Sequence, residues 1–182
     1  MTSLRRFLAC EGGSTTIEFV LVVPVITTIF FASFESSFFM IRHVMLERAV
    51  DIVVRGIRLG TYDTLTHRQL KEEICERGVL AGSPDECRDT LRIWMQPINT
   101  ATFAMVAPPR SCVDRSAPID PNFDPGGAEF AFGADNEIML LRICMKQEPM
   151  FPSTIIGAGL TRDEADGNYA LVVTSVFVNE PG

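Results

Sequence analysis

The chain has 182 residues, a length that suits one hydrophobic core plus an attached anchor, because a single core is comfortable at roughly 100–150 residues. Its formal net charge is −7 and its 16 basic residues are scattered, so it lacks the basic patch of a nucleic-acid-binding protein. We therefore expect no nucleic-acid partner.

The first predicted element is a helix that is long enough to cross a membrane. Residues 19–34 carry no charge, and extension to Ile41 adds only Glu35, so that the 23 residues would reach about 35 Å as a helix. Phenylalanines lie on all sides of this helix, where a buried core helix would keep a polar stripe. We predict a membrane span over these residues, with a core helix as the alternative.

Two kinds of export signal are further alternatives to a permanent anchor. Arg5 and Arg6 resemble the positive start of a cleaved secretory signal, but the apolar stretch is too long and no small-x-small pattern occurs near Arg42. The sequence Leu-Ala-Cys ending at Cys10 suggests a lipoprotein signal, yet no hydrophobic stretch of useful length precedes that cysteine. The anchor remains the favoured interpretation.

Ionisable and helix-bending residues mark the predicted span. Glu18 lies five residues after Gly13, where the apolar helix begins, and an ionisable residue inside a span costs about a few kcal/mol unless it is paired. Pro24 predicts a kink. Glu35 follows Glu18 by 17 residues, so the two carboxylates point to different sides of the helix, and we expect Glu35 to reach toward the outer interface.

These residues carry a resemblance to a known family. Gly13, four further residues and Glu18-Phe19 resemble the prepilin peptidase site of type IV pilins in its Flp/Tad variant. The run from Thr16 to Pro24 is similar to the start of TadE-like pilus assembly proteins, which carry a Glu-Phe-Ala-Leu-x-x-Pro run and a second acidic residue, here Glu35. Residues 176–181 are similar to the way that family ends.

The resemblance implies a processed pilin-like protein and not an enzyme. Residues 1–13 would be a cytoplasmic leader, and a prepilin peptidase would cut between Gly13 and Ser14. Glu18 would become the fifth residue of the mature chain and pair with the N-terminal amine of a neighbouring subunit. Two opposite charges in a low dielectric relieve each other's desolvation penalty only when they meet, so this pair would set the subunit register.

The resemblance also implies partners and a location. The partners are the prepilin peptidase, other pilins and minor pilins of TadF-like and Flp-like kinds, and the Tad inner-membrane platform. TadE-like and TadF-like proteins share this plan, so the sequence does not separate them, and we favour the TadE-like kind. The protein is expected to cross the bacterial inner membrane once, with its N-terminus in the cytoplasm and the domain in the periplasm or in the assembled extracellular pilus.

The charge pattern conflicts with that orientation. Two arginines precede the span, and four follow it within about 20 residues. The first two are Arg5 and Arg6, and the other four are Arg42, Arg48, Arg55 and Arg58. By the positive-inside rule, this count would put the C-terminal side in the cytoplasm. The cysteines and the processing motif favour the opposite orientation, and we give them more weight.

The remainder of the chain predicts an α+β domain over residues 61–182. The long helix spans residues 14–60, is transmembrane to about 41 and stops near two glycines. Capping signals at Thr66 and Ser83 predict two short helices, the first ending at about Arg77. Alternating or β-branched runs predict strands at Leu91–Ile98, Ile138–Lys146 and Tyr169–Val178, in a three- or four-stranded antiparallel sheet backed by the long helix. Residues 108–136, rich in Pro and Gly, predict an irregular excursion.

Four of the five cysteines lie beyond the predicted leader, which contains Cys10. An even number in an exported domain predicts disulfides, with three possible pairings. We favour Cys75 with Cys87 on neighbouring short helices, and Cys112 with Cys144, which would tie the excursion to a strand. Four free thiols in a cytoplasmic domain are the alternative.

Catalytic and cofactor motifs are missing from the sequence. The two histidines and the cysteines lack metal spacing, so we expect no metal, no cofactor and no catalytic residue. The glycines at 157 and 159 lack the rest of a phosphate loop, and residues 162–173 lack the ligands of an EF-hand, which leaves an acidic turn at Asp166-Gly167. A signal-anchored periplasmic enzyme or ligand-binding module, with its site in the excursion, is the alternative function.

Overall fold

The computed structural model describes residues 14–62, 65–78, 83–102, 108, 112, 129–160 and 167–180. In chain order, these contain α1 (Ser14–Arg58), α2 (His67–Arg77), α3 (Pro84–Thr90), β1 (Leu91–Ile98), β2 (Ile138–Gln147), α4 (Ile155–Leu160) and β3 (Tyr169–Val178). The predicted leader, most of the excursion and the acidic turn before Gly167 lie outside the described residues.

Helix α1 has 45 residues and is therefore about 68 Å long. Its second half packs on the sheet through a stripe at helical spacing, formed by Leu46, Ala49, Val50, Val53 and Ile57. The helix ends where Gly60 adopts a φ of 64°, a backbone conformation that glycine reaches without steric cost. The Gly60 N–H donates to the carbonyl of Ile57 over 3.1 Å and closes this turn.

The two short helices begin at the residues that the capping signals predict. The Thr66 hydroxyl accepts a hydrogen bond from the Gln69 N–H, and the Gln69 side chain accepts one from the Thr66 N–H, which completes a capping box. The Ser83 hydroxyl accepts from the Glu86 N–H at the start of α3, with Pro84 as the first helical residue. Local hydrogen bonding thus explains both starts.

The three strands form one antiparallel sheet in the order β1-β2-β3. Leu91 pairs with Met145 at one end of the β1 ladder, and Ile138 pairs with Val178 at one end of the β3 ladder. Strand β2 therefore lies in the centre. The prediction of an α+β fold with a small antiparallel sheet behind a long helix is confirmed, and the sheet has three strands among the described residues.

Both faces of the sheet are buried over β1 and β2. The inner face packs against α1 through fully buried residues that include Ile93, Leu141, Ile143 and Leu171. Trp94, on the other face, is buried as well, although the alternating sequence of β1 predicts that one face of the strand is exposed to solvent. The edge of β1 is also closed, because the Met95 N–H donates to the Glu129 carbonyl and the Ala131 N–H donates to the Met95 carbonyl.

The cysteines lie in two pairs at disulfide distance. The Cα atoms of Cys75 and Cys87 are 5.6 Å apart, and those of Cys112 and Cys144 are 5.3 Å apart. Both separations are typical of disulfides. The first pair joins α2 to α3, and the second joins the excursion to the outer face of β2. These are the two pairings that the sequence favoured.

Candidate assembly site on the N-terminal helix

The first half of α1 stands free of the rest of the described chain. All residues from 15 to 30 are exposed, most of them large and apolar. Among the described residues, α1 is the one helix that is long and apolar enough to cross a membrane, and none of its most apolar window is buried. A core helix would be covered by its own domain, so that alternative is wrong.

Three hydroxyl groups on this part of α1 donate hydrogen bonds to the backbone of the helix itself. Thr27 donates to the carbonyl of Val23 over 2.7 Å, and Thr28 donates to that of Pro24 over 2.8 Å. Ser33 donates in the same way to Ile29 over 2.9 Å. Each hydroxyl hydrogen has a backbone acceptor four residues earlier, which allows these side chains to face an apolar solvent.

The predicted processing and assembly residues lie at the start of this free half. Ser14 is the first residue of α1, whereas Gly13 lies outside the described residues. Glu18 and Phe19 are exposed, and no basic side chain of the described chain forms an ion pair with Glu18. The helix continues through Pro24 without interruption. The structure therefore leaves Glu18 available to a group from outside this chain.

Glu35 has a different environment from the one expected. Its side chain does not extend toward solvent, because it is completely buried under the domain. One carboxylate oxygen, Oε2, accepts a hydrogen bond from the Phe151 N–H over 2.7 Å, and Oε1 has no partner among the described residues. Glu18 and Glu35 are separated by about 26 Å of helix axis and do not form one site.

A second polar contact holds the domain to α1 two turns further on. The Arg42 guanidinium donates to the Tyr169 hydroxyl over 2.7 Å and to the Glu148 carbonyl over 3.1 Å. Burial raises the pKa of Tyr169, and the hydrogen bond from Arg42 opposes that shift. The Phe39 ring packs 5.5 Å from the Tyr169 ring. The domain is thus fixed to the helix at Glu35 and again at Arg42.

The sequence patterns did not predict the helix in the segment that covers Glu35. This segment contains α4, in which two glycines among six residues conceal the helical pattern. The Thr154 hydroxyl caps α4 by accepting from the Gly157 N–H over 3.0 Å, and it donates to the Phe151 carbonyl over 2.8 Å. A signal was present in the sequence, because Ser153-Thr154 stands before Ile155 as a capping residue does.

Comparison with known proteins adds evidence from the sequence of α1. Residues 13–55 match the model of the family described as TadE-like protein. This N-terminal segment is TadE-like. The match covers the free half of α1 and most of its packed half. The TadE-like family is a structural family that is associated with the Tad pilus. The curated proteins and the solved structures gave no match to the chain.

The TadE-like match confirms the resemblance that Glu18, Phe19, Pro24 and Glu35 carry. All four residues lie on α1 and within the matched range. The structure separates them by environment, since the first three lie in the free half and Glu35 lies under the domain. The free half is therefore the candidate assembly surface.

Proposed function

We propose that this chain is a minor pilin-like component, a pseudopilin, of Tad/Flp pilus biogenesis. A prepilin peptidase processes it, and it assembles through its N-terminal helix. The observation that carries this proposal is the free half of α1, which belongs to a TadE-like segment, is apolar and is uncovered by its own domain. Such a surface needs lipid before assembly and neighbouring helices after it.

Cleavage between Gly13 and Ser14 would place a new amine at the start of α1. The N-terminus of a helix already carries partial positive charge, so this amine would be a strongly cationic end. Glu18 lies one turn inside and is exposed, in a segment where an isolated carboxylate is costly. The amine of a neighbouring subunit would neutralise Glu18 and fix the axial register of the two helices.

The domain would lie in the periplasm, on the outer side of the bacterial inner membrane. This side suits the two cysteine pairs at disulfide distance, because disulfides persist in oxidising compartments. The partners would be the prepilin peptidase, TadF-like and Flp-like pilins, and the Tad inner-membrane platform. Their contacts would be made with the free half of α1.

Intact mass of the full chain tests the proposal directly. The chain is expressed in membranes with and without an active prepilin peptidase, and with a catalytically dead peptidase as the control. We expect a mass loss equal to residues 1–13 in the active sample alone, and loss of that cleavage when Gly13 is replaced by leucine. A chain that keeps its full mass beside the active peptidase would contradict the proposal and favour a signal-anchored periplasmic module.

A further inference from the structure

A second apolar segment lies beside α1 at the level where its free half ends. Residues 149–160 contain no charged side chain, although charged residues are frequent on either side of them. The Phe151 ring packs 4.7 Å from the Phe31 ring, and α4 follows directly. We call residues 149–160 the apolar foot.

The apolar foot exposes large hydrophobic side chains that its own domain could have buried. Ile155 is 81% exposed and Met150 is 48% exposed. Pro152 is exposed between them. Through Phe151 and Phe31, this surface is continuous with the uncovered apolar surface of the free half of α1.

The foot is held in place and not left as a loose loop. The Phe151 N–H donates to the buried Glu35 carboxylate, and Thr154 bonds both to the Phe151 carbonyl and to the Gly157 N–H. A Cβ at Gly157 would lie 2.3 Å from the Phe151 carbonyl oxygen, so the chain is closely packed at this point. The exposure of Ile155 therefore follows from a defined conformation.

We propose that the apolar foot is inserted in the phospholipid leaflet on the domain side of the membrane, with Met150, Pro152 and Ile155 among the lipids. This inference rests on the proposed membrane anchoring of α1. The domain would then sit directly on the bilayer, and Glu35 would be shielded from lipid by the backbone of the foot. The span proper would be residues 15–34.

Helix length and charge support lipid as the occupant. The 20 residues from 15 to 34 reach about 30 Å, which matches the hydrocarbon core of a bilayer and places Phe31 and the foot at its boundary. The first ionisable residue of α1 beyond Glu35 is Arg42, and it contacts the carbonyl of Glu148 just before the foot. The first charged residue of α1 beyond Glu35 and the last charged residue before the foot thus lie at one level, as expected for a headgroup region.

Quenching of tryptophan by brominated lipids tests this placement in the full chain. Trp94, the single tryptophan, is replaced by phenylalanine, and the chain is reconstituted in phosphatidylcholine bilayers with or without bromine on the acyl chains. Three variants carry one tryptophan each: Ile155→Trp in the foot, Phe30→Trp in the free half of α1, and Val176→Trp on β3. Val176 is 59% exposed and lies toward the end of β3 that is far from Arg42, so it is the matched control outside the bilayer.

We expect Phe30→Trp and Ile155→Trp to lose most of their emission in brominated bilayers and Val176→Trp to lose little. Quenching of Phe30→Trp without quenching of Ile155→Trp would contradict the insertion of the foot into the bilayer and would still agree with membrane anchoring by α1. Quenching of neither overturns the anchoring as well. Blue-shifted but unquenched emission from Ile155→Trp, together with crosslinked dimers, would show that a second copy of the chain covers the foot and that lipid does not. If Trp94→Phe does not fold, the same variants are measured above the constant emission of Trp94.

Discussion

Two glutamates of α1, whose carboxylates are costly to desolvate near a membrane, have different environments. Glu35 is buried by the domain, and its Oε2 accepts a hydrogen bond from the Phe151 N–H of the same chain. Glu18 is exposed on the free half, and no basic side chain of the described chain pairs with it. Any compensating charge for Glu18 must come from another molecule or from residues outside those described.

Replacement of Glu18 by alanine tests this difference at the residue scale. The variant should still be cleaved and inserted, because the apolar span is intact, but it should support few or no pili since the registering charge is lost. Intact mass reports cleavage, and counting of pili by electron microscopy reports assembly.

Glu18→Asp is the matched control, because it keeps the carboxylate and should retain more pili than the alanine variant. Normal piliation by Glu18→Ala would show that the carboxylate is not the registering contact. Loss of cleavage in the same variant would instead place Glu18 in peptidase recognition.

At the scale of elements, the contact between the apolar foot and α1 depends on close packing around α4. Gly157 faces the Phe151 carbonyl, a backbone atom that cannot move aside like a flexible side chain. Gly159, on the same short helix, has nothing within 4 Å of the position where a Cβ would stand. Both glycines therefore lie in the same helix, but only Gly159 has room for a side chain.

This contrast predicts opposite effects for two otherwise identical substitutions. Gly157→Ala should lower the free energy of unfolding by about 1–3 kcal/mol through overpacking. Gly159→Ala should leave it unchanged or raise it by about 0.5–1 kcal/mol, because alanine favours a helix. Denaturant unfolding of the full chain in detergent micelles measures both. Equal stabilities for the two variants would mean that α4 is not packed against Phe151 as the structure shows.

At the scale of the whole molecule, the domain is small and its segments are joined by the two cysteine pairs. The pairs close chain segments of 12 and 32 residues. A disulfide lowers the conformational entropy of the unfolded chain, so each bridge should raise the free energy of unfolding by about 3 kcal/mol. The bridge that closes the longer segment should contribute slightly more. The second bridge also fixes Cys112 of the irregular excursion to the central strand.

A non-reducing digest of the membrane-inserted chain should recover two linked peptide pairs, Cys75 with Cys87 and Cys112 with Cys144. Mass spectrometry after alkylation measures them, and Cys10 in unprocessed chain is the internal control because it should be alkylated. Recovery of all four domain cysteines as alkylated free thiols would contradict both the bridges and the periplasmic orientation. A reduced sample should unfold at a lower denaturant concentration.

The features that the sequence determined by itself are those with local causes. The uncharged run determined α1, the capping residues Thr66 and Ser83 determined the starts of α2 and α3, and alternating or β-branched residues determined the strands. The TadE-like character was also readable from Glu18, Phe19 and Pro24, because a motif is a property of consecutive residues.

Tertiary structure decided what depends on residues far apart in the chain. Glu35 and Phe151 are separated by 116 positions, and no pattern around either residue indicates that they meet. The burial of Trp94 likewise depends on how the outer face of the sheet is covered. Local hydrogen bonds and periodicity choose the elements, whereas packing between distant segments chooses which surfaces remain open. For this chain, that packing covers Glu35 and leaves the Glu18 half of α1 free.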